Sequence, residues 1–191
     1  MDRIAVIGGG TMGAGIAEVC ARAGSSVVVV EADPDGIGRC RARIGASLQR
    51  AVRSDRLTAP EAELALDRID VATDLAAAAT ADLVVEAVPE VESLKLDLFR
   101  RLDAILGSEA ILASNTSSIP LVKMASVTSR PERVVGVHFF NPAPVLPLVE
   151  IVASLLTPKR RCRPSPTSPR NAWARRRSAP RTWPASSSTL C

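Results

Sequence analysis

The chain has 191 residues and a mass of 20.1 kDa, the size of one α/β domain or of one domain with a short appendage. Hydrophobic residues make up 47%, which excludes wholesale disorder, and aromatics only 3%, with no Tyr, which argues against a stacking platform for single-stranded nucleic acid. The net charge of +4 hides a discontinuity: all 20 acidic residues lie within residues 1–156, whose net charge is −5, while residues 157–191 hold nine of the 24 basic residues and no acid.

In chain order, Arg3 to Ile7 reads as a short buried strand, followed at once by Gly8-Gly9-Gly10-Thr11-Met12-Gly13. A helix is expected from there through Ala14, Ile16, Ala17, Val19 and Cys20, with Gly24 as its stop. Val27 to Val30 is wholly apolar and β-branched, the mark of a strand covered on both faces. Residues 35–52 read as a helix with arginines on its exposed side, and a second helical stretch follows Ala59-Pro60. Ile69 to Val71, Leu83 to Val85, Ile111 to Ala113, Val134 to Val137 and Leu148 to Val152 read as further short strands. Ser93 to Leu106 has amphipathic helical spacing. Strands alternating with helices over short links predict an α/β fold, a Rossmann-type doubly wound, mostly parallel sheet spanning residues 1–156.

No apolar run reaches the roughly 18 residues of a membrane span, and Met1-Asp2-Arg3-Ile4 enters a strand pattern without signal-peptide form. A cytoplasmic protein without a membrane partner is the expectation. The four cysteines, Cys20, Cys40, Cys162 and Cys191, form no C-x-x-C pair, so neither a zinc site nor a disulfide framework is predicted.

Gly8-x-Gly10-x-x-Gly13 between a strand and a helix is the order a dinucleotide requires. The first glycine permits the turn, the second lets the backbone approach the pyrophosphate, and the third lets helix and strand pack closely. The N–H groups of Thr11, Met12 and Gly13 open the helix toward the phosphates. Glu31 ends the second strand, where an acid accepts hydrogen bonds from the adenosine ribose and repels a 2′-phosphate, so NAD is favoured over NADP. The only histidine, His138, lies at the end of a predicted core strand, where the ligand crevice of such sheets opens. A neutral imidazole there can take the proton of a substrate hydroxyl. Glu150, twelve residues on, lies beyond a proline-rich turn that could return its carboxylate to the ring. Ser114 to Ser118 follows another core strand; these groups either bind a carbonyl or hydroxyl oxygen, or Ser117 or Ser118 caps the next helix.

These strings together resemble the 3-hydroxyacyl-CoA dehydrogenase family, from Ile4 to about Leu156. The resemblance rests on IAVIGGGTMGAGIA, on DLVVEAVPE with Lys95 just beyond, on ASNTSSI, and on GVHFFNPAPVLPLVEIV. It implies an NAD-dependent oxidoreductase that interconverts short-chain 3-hydroxyacyl-CoA and 3-ketoacyl-CoA. It implies that His138 is the catalytic base, Glu150 the acid that holds it, and Ser117 a contact to the reacting oxygen and the cofactor. Glu90, Lys95 and Asn141 would line the nicotinamide half of the NAD site, and Ser47 would lie near the CoA moiety. Arg50 and Arg53 suit the CoA phosphates by charge and equally suit a solvated helix face.

The family also implies a helical second domain that closes the site and forms a homodimer, and residues 157–191 do not have the composition of one. They hold six of the 14 prolines, both tryptophans, and Leu190 as the only aliphatic side chain longer than alanine. This segment is expected to be a disordered basic tail, and its composition is that of a GC-rich gene read out of frame. Shifting the frame from Ala172 onward allows LGKTPVxxKDLAGFVVNAL, and Trp173 with Ala174 forces the first glycine of that string. A frameshift product is therefore the expectation, with a genuine basic tail or a nucleic-acid arm as alternatives. On the same grounds, a catalytically inactive NAD-binding module is the alternative to an active enzyme.

Overall fold

The computed structural model describes residues 1–154 and 156; the expected basic tail lies outside the described residues. The elements are β1 (Arg3–Ile7), α1 (Thr11–Arg22), β2 (Ser26–Val30), α2 (Pro34–Arg53), α3 (Ala59–Leu66), β3 (Ile69–Ala72), β4 (Leu83–Glu86), α4 (Glu92–Ile105), β5 (Ile111–Ser114), α5 (Leu121–Ala125), β6 (Val134–Phe139) and β7 (Val149–Ala153). They form one seven-stranded sheet in the order β3-β2-β1-β4-β5-β6-β7. All neighbours pair in parallel except β6 and β7, which are antiparallel.

Alternation along the strands feeds two cores. Val6 and Val29 face α1 and α2, packing with Ile16, Ile44 and Leu48. Ile7 and Val30 point to the opposite face, where Phe99 and Leu102 of α4 and Met124 of α5 cover them. Because both faces are covered, the inner strands can be apolar throughout, as the Val27–Val30 run is. Local chemistry starts the helices. Asp33 accepts from the Gly36 N–H at 2.8 Å ahead of α2, and Thr58 with Glu61 forms a reciprocal capping box ahead of α3. Ala23 caps α1, and Gly24 beyond it takes φ +101°, the left-handed conformation that ends a helix cleanly.

The chain winds outward from β1 in both directions, so the sheet order reverses between β1 and β4. A crevice opens at the carboxyl ends of the strands at such a point. The turn after β1, the loop after β4, the 115–118 segment after β5 and the end of β6 all gather there.

Candidate active site

The turn after β1 is built around its glycines. Gly8 has φ +92°, and a Cβ on it would lie 3.0 Å from the Ala87 carbonyl oxygen. A Cβ on Gly13 would fall 1.7 Å from the Gly8 carbonyl oxygen, so α1 sits directly on the end of β1. Gly10 differs: it is the residue before α1, and a Cβ there would meet no atom of the chain within 4 Å. No side chain caps α1 and no acid lies in its first turn, which leaves the positive end of the helix to an anion. Glu31 follows β2, and its Oε1 lies 2.6 Å from where a Cβ on Gly9 would stand, beside the Cys40 sulfur. Burial pushes the Cys40 thiol up to about 11, so it acts as packing rather than as a nucleophile. Arg43 donates to the Gly9 carbonyl oxygen at 3.3 Å from α2. An uncapped helix start, an open backbone at Gly10 and an acid beside the loop fit a dinucleotide with free ribose hydroxyls.

Across the crevice, the β6–β7 register pairs His138 with Glu150, and the His138 Nδ1 stands 3.3 Å from the Glu150 Oε2. The twelve-residue spacing works because the chain turns after Phe140 and β7 returns antiparallel. His138 is about one-third exposed, with its ring 4.8 Å from that of Phe140. The next residue, Phe139, donates its N–H to the Asn115 Oδ1 at 2.9 Å, tying the end of β6 to the segment after β5. A carboxylate facing Nδ1 selects the tautomer with its proton there, which leaves Nε2 as the acceptor toward the crevice.

Between these two parts lies an ionic cluster that sequence reasoning saw only in part. Lys95 of α4 is 1% exposed, with its Nζ 3.0 Å from the Glu86 Oε1 and 2.6 Å from the Glu90 Oε2. Glu86, the last residue of β4, is fully buried; it also accepts from the Val88 N–H at 2.8 Å and the Ser114 hydroxyl at 2.5 Å. Glu90 accepts from the hydroxyls of Thr116 and Ser118. Burial raises the Glu90 carboxyl, but hydrogen bonds from Lys95, Thr116 and Ser118 outweigh it and hold the group at about 2. Lys95 therefore meets the crevice through Glu90, the more exposed partner. An acid ending an otherwise apolar strand was the available signal for Glu86, since a carboxylate at a buried position must have partners.

The capping alternative for Ser117 and Ser118 does not hold. The residue before α5 is Pro120, without a side-chain cap, and it is the Thr116 hydroxyl that accepts from the Ile119 N–H at 3.0 Å. Ser117 is exposed at the crevice between the two residues that Glu90 holds, and Asn141 is exposed just past β6. Ser47 and Arg50 line a cavity of about 120 Å³ with Glu18, Arg22, Pro142 and Pro144, so α2 meets the loop that comes after His138. Arg53 lies on a different groove, between α2 and α3. The structure thus separates the two arginines that charge alone could not distinguish.

Among the described residues there is no cluster of three or more His, Cys, Asp or Glu that could hold a metal ion, and no helix long and apolar enough to cross a membrane.

Residues 3–163 match the family model described as 3-hydroxyacyl-CoA dehydrogenase, NAD binding domain. The chain is 49% identical over 158 residues to a 3-hydroxybutyryl-CoA dehydrogenase of Mycobacterium tuberculosis, covering 82% of this chain and 55% of that protein. It is 45% identical over 157 residues to a 3-hydroxyadipyl-CoA dehydrogenase of Escherichia coli, covering 82% and 33% respectively. The crystal structure of (S)-3-hydroxybutyryl-CoA dehydrogenase from Ralstonia eutropha superposes with a TM-score of 0.81 at 39% identity, over 84% of this chain and 56% of that one. The chain spans about half the length of the 3-hydroxybutyryl-CoA dehydrogenases it matches.

Proposed function

Because the chain belongs to the 3-hydroxyacyl-CoA dehydrogenase family, whose NAD-binding domain it carries, we propose that it is the cofactor half of an enzyme interconverting 3-hydroxyacyl-CoA and 3-ketoacyl-CoA. The observation that carries the reading is the His138–Glu150 pair, set at the same end of the sheet as the Gly8–Gly13 turn. NAD, when bound, supplies the hydride acceptor. His138 Nε2 takes the proton of the 3-hydroxyl, and Glu150 holds Nδ1 and balances the imidazolium charge that develops. Ser117, at the exposed tip of the 115–118 segment, contacts the reacting oxygen and the cofactor. Thr11, Met12 and Gly13 receive the pyrophosphate over Gly8 and Gly10, and Glu31 takes the adenosine ribose. Glu90, Lys95 and Asn141 border the nicotinamide side. Ser47 and Arg50 face the CoA chain across the cavity under Pro142 and Pro144. The natural setting is cytoplasmic, with a small-molecule acyl-CoA as partner and no nucleic acid.

The domain limit goes with this reading: residues 1–156 are the NAD-binding unit, and resequencing the region encoding Leu156 to Arg163 tests whether residues 157–191 are out of frame. In a frame-restored version, His138→Ala should lower acetoacetyl-CoA reduction by about 10²–10⁴-fold with NADH affinity little changed. Full activity in that variant would remove His138 from the chemistry. The 191-residue chain itself should reduce acetoacetyl-CoA far more slowly than the frame-restored version. An inactive NAD-binding module is the second reading; it predicts NADH binding with no turnover at all.

A further inference from the structure

Two routes lead from one buried carboxylate to the loop that carries Ser117. Glu86 is fully buried at the end of β4, next to the point where the sheet order reverses. By the first route its Oε1 holds the Lys95 ammonium at 3.0 Å, and Lys95 holds the Glu90 Oε2 at 2.6 Å. The other oxygen of Glu90 receives the hydroxyls of Thr116 and Ser118, the residues on either side of Ser117. By the second route its Oε2 takes the Ser114 hydroxyl at 2.5 Å, and that hydroxyl oxygen accepts the Thr116 N–H at 3.2 Å. Meanwhile the Val88 N–H, donated to Oε1 at 2.8 Å, fixes the start of the loop leading to Glu90. A fully buried carboxylate is costly unless each oxygen is satisfied, and all of these partners belong to the wall of the crevice.

We infer that Glu86 is a positioning residue for Ser117, holding the loops after β4 and β5 together at the nicotinamide side without itself meeting a ligand. The inference rests on the proposed contact of Ser117 with the cofactor. Lys95 is the joint of the first route: an ammonium with 1% exposure keeps its place only between two carboxylates. Removing the inner one frees Lys95 to shift toward Glu90 and loosens both flanks of Ser117 at once.

The test is a double-mutant cycle on NADH binding by the 191-residue chain, read by fluorescence titration. Glu86→Gln should weaken NADH by about tenfold, and adding Ser117→Ala to it should cost less than about a further twofold, because the second change removes a group already displaced. A purely structural role predicts instead that the two effects multiply, and that result would overturn the inference. So would a folded Glu86→Gln chain that binds NADH within about twofold of the parent. Should Glu86→Gln not fold, Ser114→Ala cuts only the second route and leaves the ion pairs intact. It should weaken NADH by about threefold and likewise be non-additive with Ser117→Ala, and independent effects there also overturn the inference. A parent chain that binds no NADH would refute the proposed function itself. A parent that binds, with Ser117→Ala unchanged, would refute the role of Ser117 and this inference with it.

Discussion

Glu31 and Arg43 approach the same loop residue, Gly9, from opposite charge signs. A ribose with a free 2′-hydroxyl suits the acid, and a 2′-phosphate would meet its repulsion. Glu31→Ala should therefore narrow the preference for NADH over NADPH, since Arg43 is left to face the phosphate; titrating both cofactors measures it. Equal affinities in the unmutated chain would contradict the assignment. Glu90 makes a prediction in pH. Its folded value of about 2 lies below the 4.5 of the free side chain, so it stabilises the fold fully above about pH 4.5 and loses that contribution as pH falls toward 2. Glu90→Gln should flatten the acid limb of the stability curve in that window, followed by circular dichroism. Glu90 itself is 39% exposed, so solvent screens part of the effect and the flattening should be partial.

The junction of β1 and α1 separates two demands on glycine that one motif runs together. At Gly13 the demand is internal, because a Cβ would overlap the Gly8 carbonyl oxygen at 1.7 Å. Gly13→Ala should destabilise the fold by about 3 kcal/mol or more, with the helix forced off the strand, as denaturant titration would register. At Gly10 the chain itself leaves room, so a side chain there should be accepted by the fold. Gly10→Val should unfold at nearly the parent midpoint yet bind no NADH, since the side chain would stand where the pyrophosphate approaches. Loss of stability at Gly10 with retained binding would reverse the assignment of the two positions.

At the scale of the whole molecule, apolar surface is concentrated at one end of the sheet. Val145, Leu146, Leu148, Ile151 and Val152 are each more than 40% exposed, on and before the antiparallel edge strand β7. Among the described residues no strand pairs with the outer side of β7, and such an edge with apolar side chains invites association. Ile151→Lys should lower light scattering at raised protein concentration and leave the thermal midpoint within about 2 °C, because the side chain has little packing to lose. The 3-hydroxybutyryl-CoA dehydrogenase of Mycobacterium tuberculosis extends for nearly as much chain again outside its matched half.

The strand and helix order, the parallel sheet and the dinucleotide turn were all legible in the amino-acid sequence. Their signals are local: β-branched runs, helical spacing and glycines at fixed offsets depend only on near neighbours. His138 and Glu150 were legible as a possible pair because a twelve-residue hairpin is still a short-range event. The register of β7 came only with the structure, since it turns on which residue of β6 each residue of β7 meets. The cluster around Glu86 is the clearest case of the difference. Its members lie on β4, α4 and β5 and in the loops beyond them, with bonded partners up to 28 residues apart, and no spacing rule relates them. A sequence can mark one buried acid as needing partners, but partners that satisfy a desolvated charge are chosen by the three-dimensional packing that brings Lys95 and Ser114 to it. Tertiary structure likewise parted Arg50 from Arg53: helical spacing sets them on neighbouring positions of α2, and only the packing puts Arg50 beside Pro142 and Pro144 and Arg53 beside α3.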